Sequence, residues 1–190
     1  MNEELIMDAR IIKTKRNTLN ALKRLLKRKK FADISVKDIC IEGNVSRGTF
    51  YLHYKDKYDL VYKYQIEIMK KIQPILESVN YLSLEEFFAK AIHFWSNDAE
   101  LLMLLISDNE STDIQNQVKR LIQQNAKKNI LPIINTNNYS EIEKHYLTIF
   151  LSNAIFGIIQ EWINNCQKES PDELSAILSK IAPKHLFYKE

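Results

Sequence analysis

Glycine and proline are scarce in this chain, at three and four residues among 190. So few breakers leave too few turns for a many-stranded β fold, and the prevalence of Lys, Glu, Leu and Ile predicts an all-α protein. Cysteine is scarcer still. Cys40 and Cys166 lie far apart, with no Cys or His at metal-ligand spacing, which indicates free thiols in a reducing cytoplasm and neither metal nor cofactor. Long apolar runs are also missing. The longest uncharged stretch, residues 146–160, has 15 residues and contains Thr148, Ser152 and Asn153, against roughly 20 apolar residues that span a bilayer. Residues 1–16 lack the apolar centre of a signal peptide. We expect a soluble protein with no membrane segment. With no Gly-rich phosphate loop and no nucleophile or metal motif, an enzyme is not expected.

What is present is apolar material and an uneven distribution of charge. At 45% hydrophobic residues the chain can build its core without disulfide or metal staples. Residues 1–71 hold 17 Lys/Arg against 9 Asp/Glu, a net +8, whereas residues 72–190 hold 10 against 15, a net −5. A basic N-terminal part suits a polyanion, through steering and counterion release. Charge alone is equally compatible with a solvated basic helix.

The first helix is expected over about 11–29, with Thr18, Ala21, Leu22, Leu25 and Leu26 on one face and Lys23, Arg24, Lys27 and Arg28 on the other. Lys27 to Lys30 complement the negative end of its dipole. Ser35 is a good N-cap for a short helix over 36–42, with Asp38 closing the box. Gly43 and Asn44 both tolerate the positive φ that ends it. After Val45, Ser46 caps a second short helix, 47 to about 54. Two capped helices joined by a three-residue turn make a helix-turn-helix, with Ile39, Val45, Phe50 and Tyr54 filling its inner angle. Asp56 caps a long helix, 57 to about 80. Lys57 then falls at its first position, where a cation opposes the dipole, and a DNA phosphate is the natural reason for it. Further helices are expected over about 83–96, 99–107, 112–135, 140–166 and 171–181, with Pro74 and Pro132 as sites of kinking or breaking and Pro171 at a first helical position. No linker is evident, so the head should pack directly on the rest.

The run from Ser46 to Leu60, SRGTFYLHYKDKYDL, together with ISVKDI at 34–39 and Gly43-Asn44-Val45, resembles the signature of the TetR family of bacterial regulators. The resemblance is close over about 11–61. It implies an N-terminal three-helix DNA-binding head with a helix-turn-helix (residues 10–71), joined by a long helix to a C-terminal helical ligand-binding and dimerisation domain (72–190). Where the family often has Gly, this chain has Lys30 and Asn44. Asn enters the left-handed region readily, but Lys there would cost on the order of 1 kcal/mol.

A two-turn recognition helix offers few side chains to the major groove. Arg47 can donate twice to guanine, Gly48 lets backbone come close, and Thr49 can bond or touch a thymine methyl. Tyr51 and His53 can donate to phosphates and fix the register. The amides after the Ser35 cap can hold a further phosphate. The family pattern assigns contact roles to Tyr51, His53 and Lys57, and to Lys37 at the exposed start of the preceding helix. Singly, Tyr51 could be a surface aromatic and His53 a helix-end cap; together they point to DNA.

So short a reader needs a dimer on a palindromic operator. Apolar residues occupy nearly the whole circumference of 146–162, which indicates burial on more than one face. The alternatives are a monomer's central helix or, as the resemblance implies, pairing of the last two long helices with those of a twofold mate. The resemblance further implies a pocket for a small effector among the middle helices, apolar or amphipathic given the residues available. Phe87, Phe88, His93, Trp95, Met103, Tyr146, Phe150, Asn153 and Trp162 could line it, but at helical spacing such residues are more often core, and none is assigned. The expected function is a transcriptional regulator, a homodimeric repressor released by its effector. A protein-docking role on the same fold is opposed by the Tyr51, His53 and Lys57 set and by the +8 head.

Overall fold

The computed structural model describes residues 3–78, 81–107, 110, 112–132, 134–183 and 186, with side chains from Arg10 onward. The described residues form nine α-helices and no strand: α1 (Glu3–Leu26), α2 (Val36–Gly43), α3 (Arg47–His53), α4 (Lys57–Glu77), α5 (Leu84–Asp98), α6 (Glu100–Ile106), α7 (Thr112–Asn125), α8 (Glu141–Asn164) and α9 (Pro171–Ile181). Side-chain caps start most of them. Ser35, Ser83, Ser140 and Ser170 form complete capping boxes with Asp38, Glu86, Glu143 and Glu173, while Ser46 and Asp56 accept from the third residue onward.

The boundaries differ from the sequence expectation where packing or a proline intervenes. α1 begins upstream of residue 11 and stops at Leu26, because the N–H groups of Arg28 and Lys29 both turn back to Leu25 O, at 2.9 and 3.0 Å. Lys30 is extended, at φ −65° and ψ 150°, so the left-handed strain expected there does not arise. Asn44 is left-handed, at φ 49°. Gly43, expected to share that turn, is instead the last residue of α2. A Cβ there would stand 3.2 Å from both Ala21 Cβ and Asn17 O, so glycine is what lets α2 lie close on α1. α7 stops ten residues early and widens into a π turn at Ala126–Ile130, closed by Leu131 N on Ala126 O at 2.8 Å. Pro132 follows, with no N–H to continue the ladder. Pro74 is carried inside α4, and the expected end near Asn80 falls outside the described residues.

One continuous core joins the two ends of the molecule. Leu22, Phe31, Ile34, Ile39 and Phe50 are buried among α1–α3; Leu60, Val61 and Ile68 continue along α4, and Leu101, Leu105, Ile106 and Trp162 lie beyond. The head therefore packs directly on the remainder. Most of the basic run at the end of α1 is consumed in holding these parts together. Arg24 and Arg28 pair with Glu42 of α2, Lys29 with Asp38, and Lys23 and Lys27 with Glu100 at the start of α6. Its partners are carboxylates of other helices, in addition to the dipole of its own.

The capping boxes predict a pH dependence. Hydrogen bonds from Ser35, backbone first and hydroxyl second, hold the Asp38 carboxyl at about 2, below its usual 3.8. Glu86 and Glu143 are lowered by the hydroxyls and amides of their serines, and Glu173 by the amide and then the hydroxyl of Ser170. A carboxylate whose folded pKa is depressed adds stability that is complete above its unfolded value and is lost as pH falls through the folded one. Thermal stability should thus hold from neutrality to about pH 4.5 and then decline, the Asp38 contribution vanishing near pH 2. Carboxyl NMR titration that placed Asp38 at its ordinary value would refute this.

Candidate nucleic-acid interface

The turn between α2 and α3 is built as its residues dictate. Ile39 and Phe50 are fully buried, Tyr54 nearly so and Val45 half so. Phe50 and Tyr54 meet at 5.4 Å between ring centroids. With Phe50 anchored inward, α3 turns the opposite face to solvent. Arg47, Gly48 and Tyr51 lie on that face together. The Arg47 guanidinium sits 6.0 Å from the Tyr51 ring centroid, and the neighbouring Tyr51 side chain pushes its already high pKa up. This pair is one turn apart and preassembled. A Cβ at Gly48 would meet only Ser46 Oγ, in ordinary contact at 3.8 Å.

Three of the expected residues are placed differently from the sequence picture. Thr49 is half-buried at the edge of the face, with its hydroxyl 2.8 Å from Ser46 Oγ and its N–H donating to the same oxygen. At the Ser35 cap, the Asp38 carboxylate accepts from both the amide and the hydroxyl of Ser35 and the Asp38 N–H donates to Ser35 Oγ, so the serine's own polar groups are used within the capping box. Lys57 has a local explanation for its position. Its ammonium donates to Phe31 O, Ala32 O and Ile34 O, at 2.7, 2.9 and 2.8 Å, and lies 4.7 Å from the Phe31 ring centroid. The cation at the first position of α4 thus ties down the carbonyls of the 3₁₀ turn Phe31–Asp33, and all three of its donors are used in this conformation. Burial pulls its pKa down. Lys37 is exposed on α2, and His53 is half-buried with its ring 6.2 Å from that of Tyr54.

One residue of the exposed face escaped the sequence reading. Leu52 is 82% exposed, one turn after Gly48. The helical period alone places positions 48 and 52 opposite Phe50, flanked by 51, and that signal could have found it.

A model of the bacterial regulatory proteins of the tetR family matches residues 19–63, and a transcriptional regulator C-terminal region model matches residues 83–184. The chain belongs to the TetR family of bacterial regulators. Its fold agrees with solved members. A TetR transcriptional regulator from Streptococcus agalactiae 2603V is 21% identical, with TM-score 0.64 over 94% of this chain and 98% of that one. NalD of Pseudomonas aeruginosa, the secondary repressor of the MexAB-OprM multidrug efflux pump, is 16% identical with TM-score 0.68 over 94% and 98%. The transcriptional regulator FadR from Bacillus subtilis, solved with stearoyl-CoA, is 16% identical with TM-score 0.58 over 90% and 98%. No curated protein matches the sequence. TetR-family regulators are transcription factors that bind DNA operators and dimerise, and some bind small-molecule effectors.

In this TetR-family chain the body grips the head at the turn that Lys57 holds. Glu110, between α6 and α7, is nine-tenths buried, and both of its carboxylate oxygens accept from the Phe31 N–H at 3.0 Å. The Phe31 residue is thus held through its N–H by the body and through its carbonyl by α4, immediately before the cap of α2. A cavity of about 310 Å³ lies deeper, walled by α4, α5, α7, α8 and α9. Of the side chains weighed from sequence, Phe87, Phe88, Trp95 and Phe150 line it, whereas His93, Met103, Tyr146, Asn153 and Trp162 do not. The remainder of the wall is almost entirely aliphatic, with Asn125 as its single amide.

Proposed function

We propose that this protein is a cytoplasmic homodimeric repressor that occupies a palindromic operator and leaves it when a small apolar or amphipathic molecule fills the cavity. The observation that carries the DNA reading is the exposed face of α3, on which Arg47, Gly48 and Tyr51 stand together over a rigidly capped and packed turn. Arg47 reads guanine, and Tyr51 and His53 hold phosphates, as does the exposed Lys37 on α2. Ser35 serves mainly as the cap that aims α2, and Thr49 bonds to Ser46, the cap that aims α3. Lys57 sets the segment before Ser35. Residues 10–71 act as the DNA-binding domain and 72–190 as the effector-binding and dimerisation domain.

Two features support the remaining parts of the reading. α8 is long and apolar enough in composition to cross a membrane, but one of its faces is buried in the core, where Thr148 and Ser152 bond to carbonyls one turn back. Its other face presents Ile142, Tyr146, Phe150 and Gly157 to solvent, an apolar stripe at helical spacing that a second copy would cover. The cavity suits an aliphatic body with one acceptor. Asn125 Nδ2 has only the weakly accepting Met69 sulfur beside it, at 2.8 Å, which a ligand oxygen would displace. A long acyl chain is compatible with such a wall, and the FadR neighbour was solved with stearoyl-CoA. Because Met69, Ile72 and Leu76 of α4 line the cavity while Leu60 of the same helix packs in the head, an occupant would bear on the head through a single rigid element.

The test is selection of bound sequences from random duplex DNA, with Tyr51→Ala in parallel at one stated salt concentration. A palindrome should be enriched by the natural protein and bound at least about tenfold more weakly by the variant. Absence of any enriched sequence at low salt, from folded dimeric protein, would move the assignment to protein docking.

A further inference from the structure

The solvent face of α3 carries two residues that the packing of the chain itself does not require. Gly48 is helical, yet nothing but Ser46 Oγ, 3.8 Å away, is near the place of its missing Cβ. Leu52 is 82% exposed, more than any other large apolar side chain in the head. Four residues apart, they share one face, and a helical side chain leans toward the N-terminal turn. Leu52 therefore overhangs the gap above Gly48, and beside them runs the Arg47–Tyr51 pair. Thr49 is half-buried at the edge with its hydroxyl on Ser46, and its single methyl is a smaller apolar group than the exposed isobutyl of Leu52.

We infer that Leu52 is a specificity-determining residue whose isobutyl group packs on the 5-methyl group of a thymine in the major groove, with Gly48 admitting the close approach. This assignment rests on the operator reading. Leucine neither donates nor accepts hydrogen bonds, so against phosphate or a polar base edge it would contribute nothing. The thymine methyl is the one apolar substituent that base pairs present in the major groove. Arg47 and Leu52 thus form two kinds of reader on one short helix, the first for guanine and the second for thymine.

The experiment replaces each thymine of the selected operator in turn by deoxyuridine, which removes only the methyl group. Binding is measured for the natural protein and for Leu52→Ala at the same salt. At one thymine per half-site, deoxyuridine should weaken the natural protein about three- to tenfold and the variant less than twofold. Selection with Leu52→Ala should lose its preference for thymine at that position alone. The exposure of Leu52 predicts an unchanged melting temperature, which separates lost recognition from lost folding. Indifference of the natural protein to every deoxyuridine, or an equal penalty in both proteins, overturns the assignment while leaving the operator reading intact. Failure to enrich any sequence overturns both.

Discussion

Gly157→Arg should yield a folded monomer with operator affinity lower by at least about a hundredfold. Gly157 stands in the interior of α8, where glycine costs about 1 kcal/mol relative to alanine. A Cβ there would meet nothing within 4 Å, so the chain's own packing gives no reason for it. Close approach of a second helix in the proposed dimer would. Ile142, Tyr146 and Phe150 on the same face are 68%, 65% and 59% exposed, and Ile181 of α9 is 65% exposed. An arginine at the crossing would hold the two helices apart and leave a charge between them. A monomer retains one recognition helix and loses the additive contribution of the second half-site. Light scattering reports the mass, circular dichroism the fold, and titration with the selected palindrome the affinity. Gly157→Ala serves as the control, with a more stable isolated helix and a smaller effect on assembly. A Gly157→Arg protein that remained dimeric would show that α8 is not the interface.

The second large effect concerns Lys57. Lys57→Met removes a charged donor from three carbonyls and should cost about 2 kcal/mol, which for a chain of this size lowers the melting temperature by roughly 4–8 °C. Glu110→Gln should cost less, since an amide oxygen can still accept from Phe31 N–H. The double variant should lose less than the sum, because both side chains act on the same residue of the 3₁₀ turn. Operator binding should weaken in each, since the slack appears directly ahead of the Ser35 cap. A direct phosphate contact by Lys57 would give a different result: an unchanged melting temperature and a salt dependence of binding shallower by about one counterion.

These two residues also mark where a sequence ceases to be informative. That Lys57 opposes the dipole of α4 is readable from Asp56, which caps that helix. The compensation is not, because the carbonyls it reaches lie 23 to 26 residues earlier and meet it only when α4 packs against the turn. Glu110 has no local signal at all; its partner is 79 residues away. The same holds for Glu42 and Glu100, which neutralise a basic run that sequence reasoning assigned to the helix dipole. Leu52 differs, since helical period alone puts it opposite Phe50. It was overlooked because leucine is ordinarily counted as core.

Local sequence sets the all-helical class, the order of the helices and most of their starts. Caps, prolines and the 3.6-residue period act within a few residues and need no tertiary context. It likewise determined the helix-turn-helix, whose caps and inner apolar positions are contiguous. Packing settles which cations are spent inside the molecule and which stand at the surface, because pairing depends on distances between helices. It also decided that Gly43 serves close packing whereas Gly157 faces open space, and which aromatic residues wall the cavity. These are properties of what lies opposite a residue, and the local chain does not contain that information.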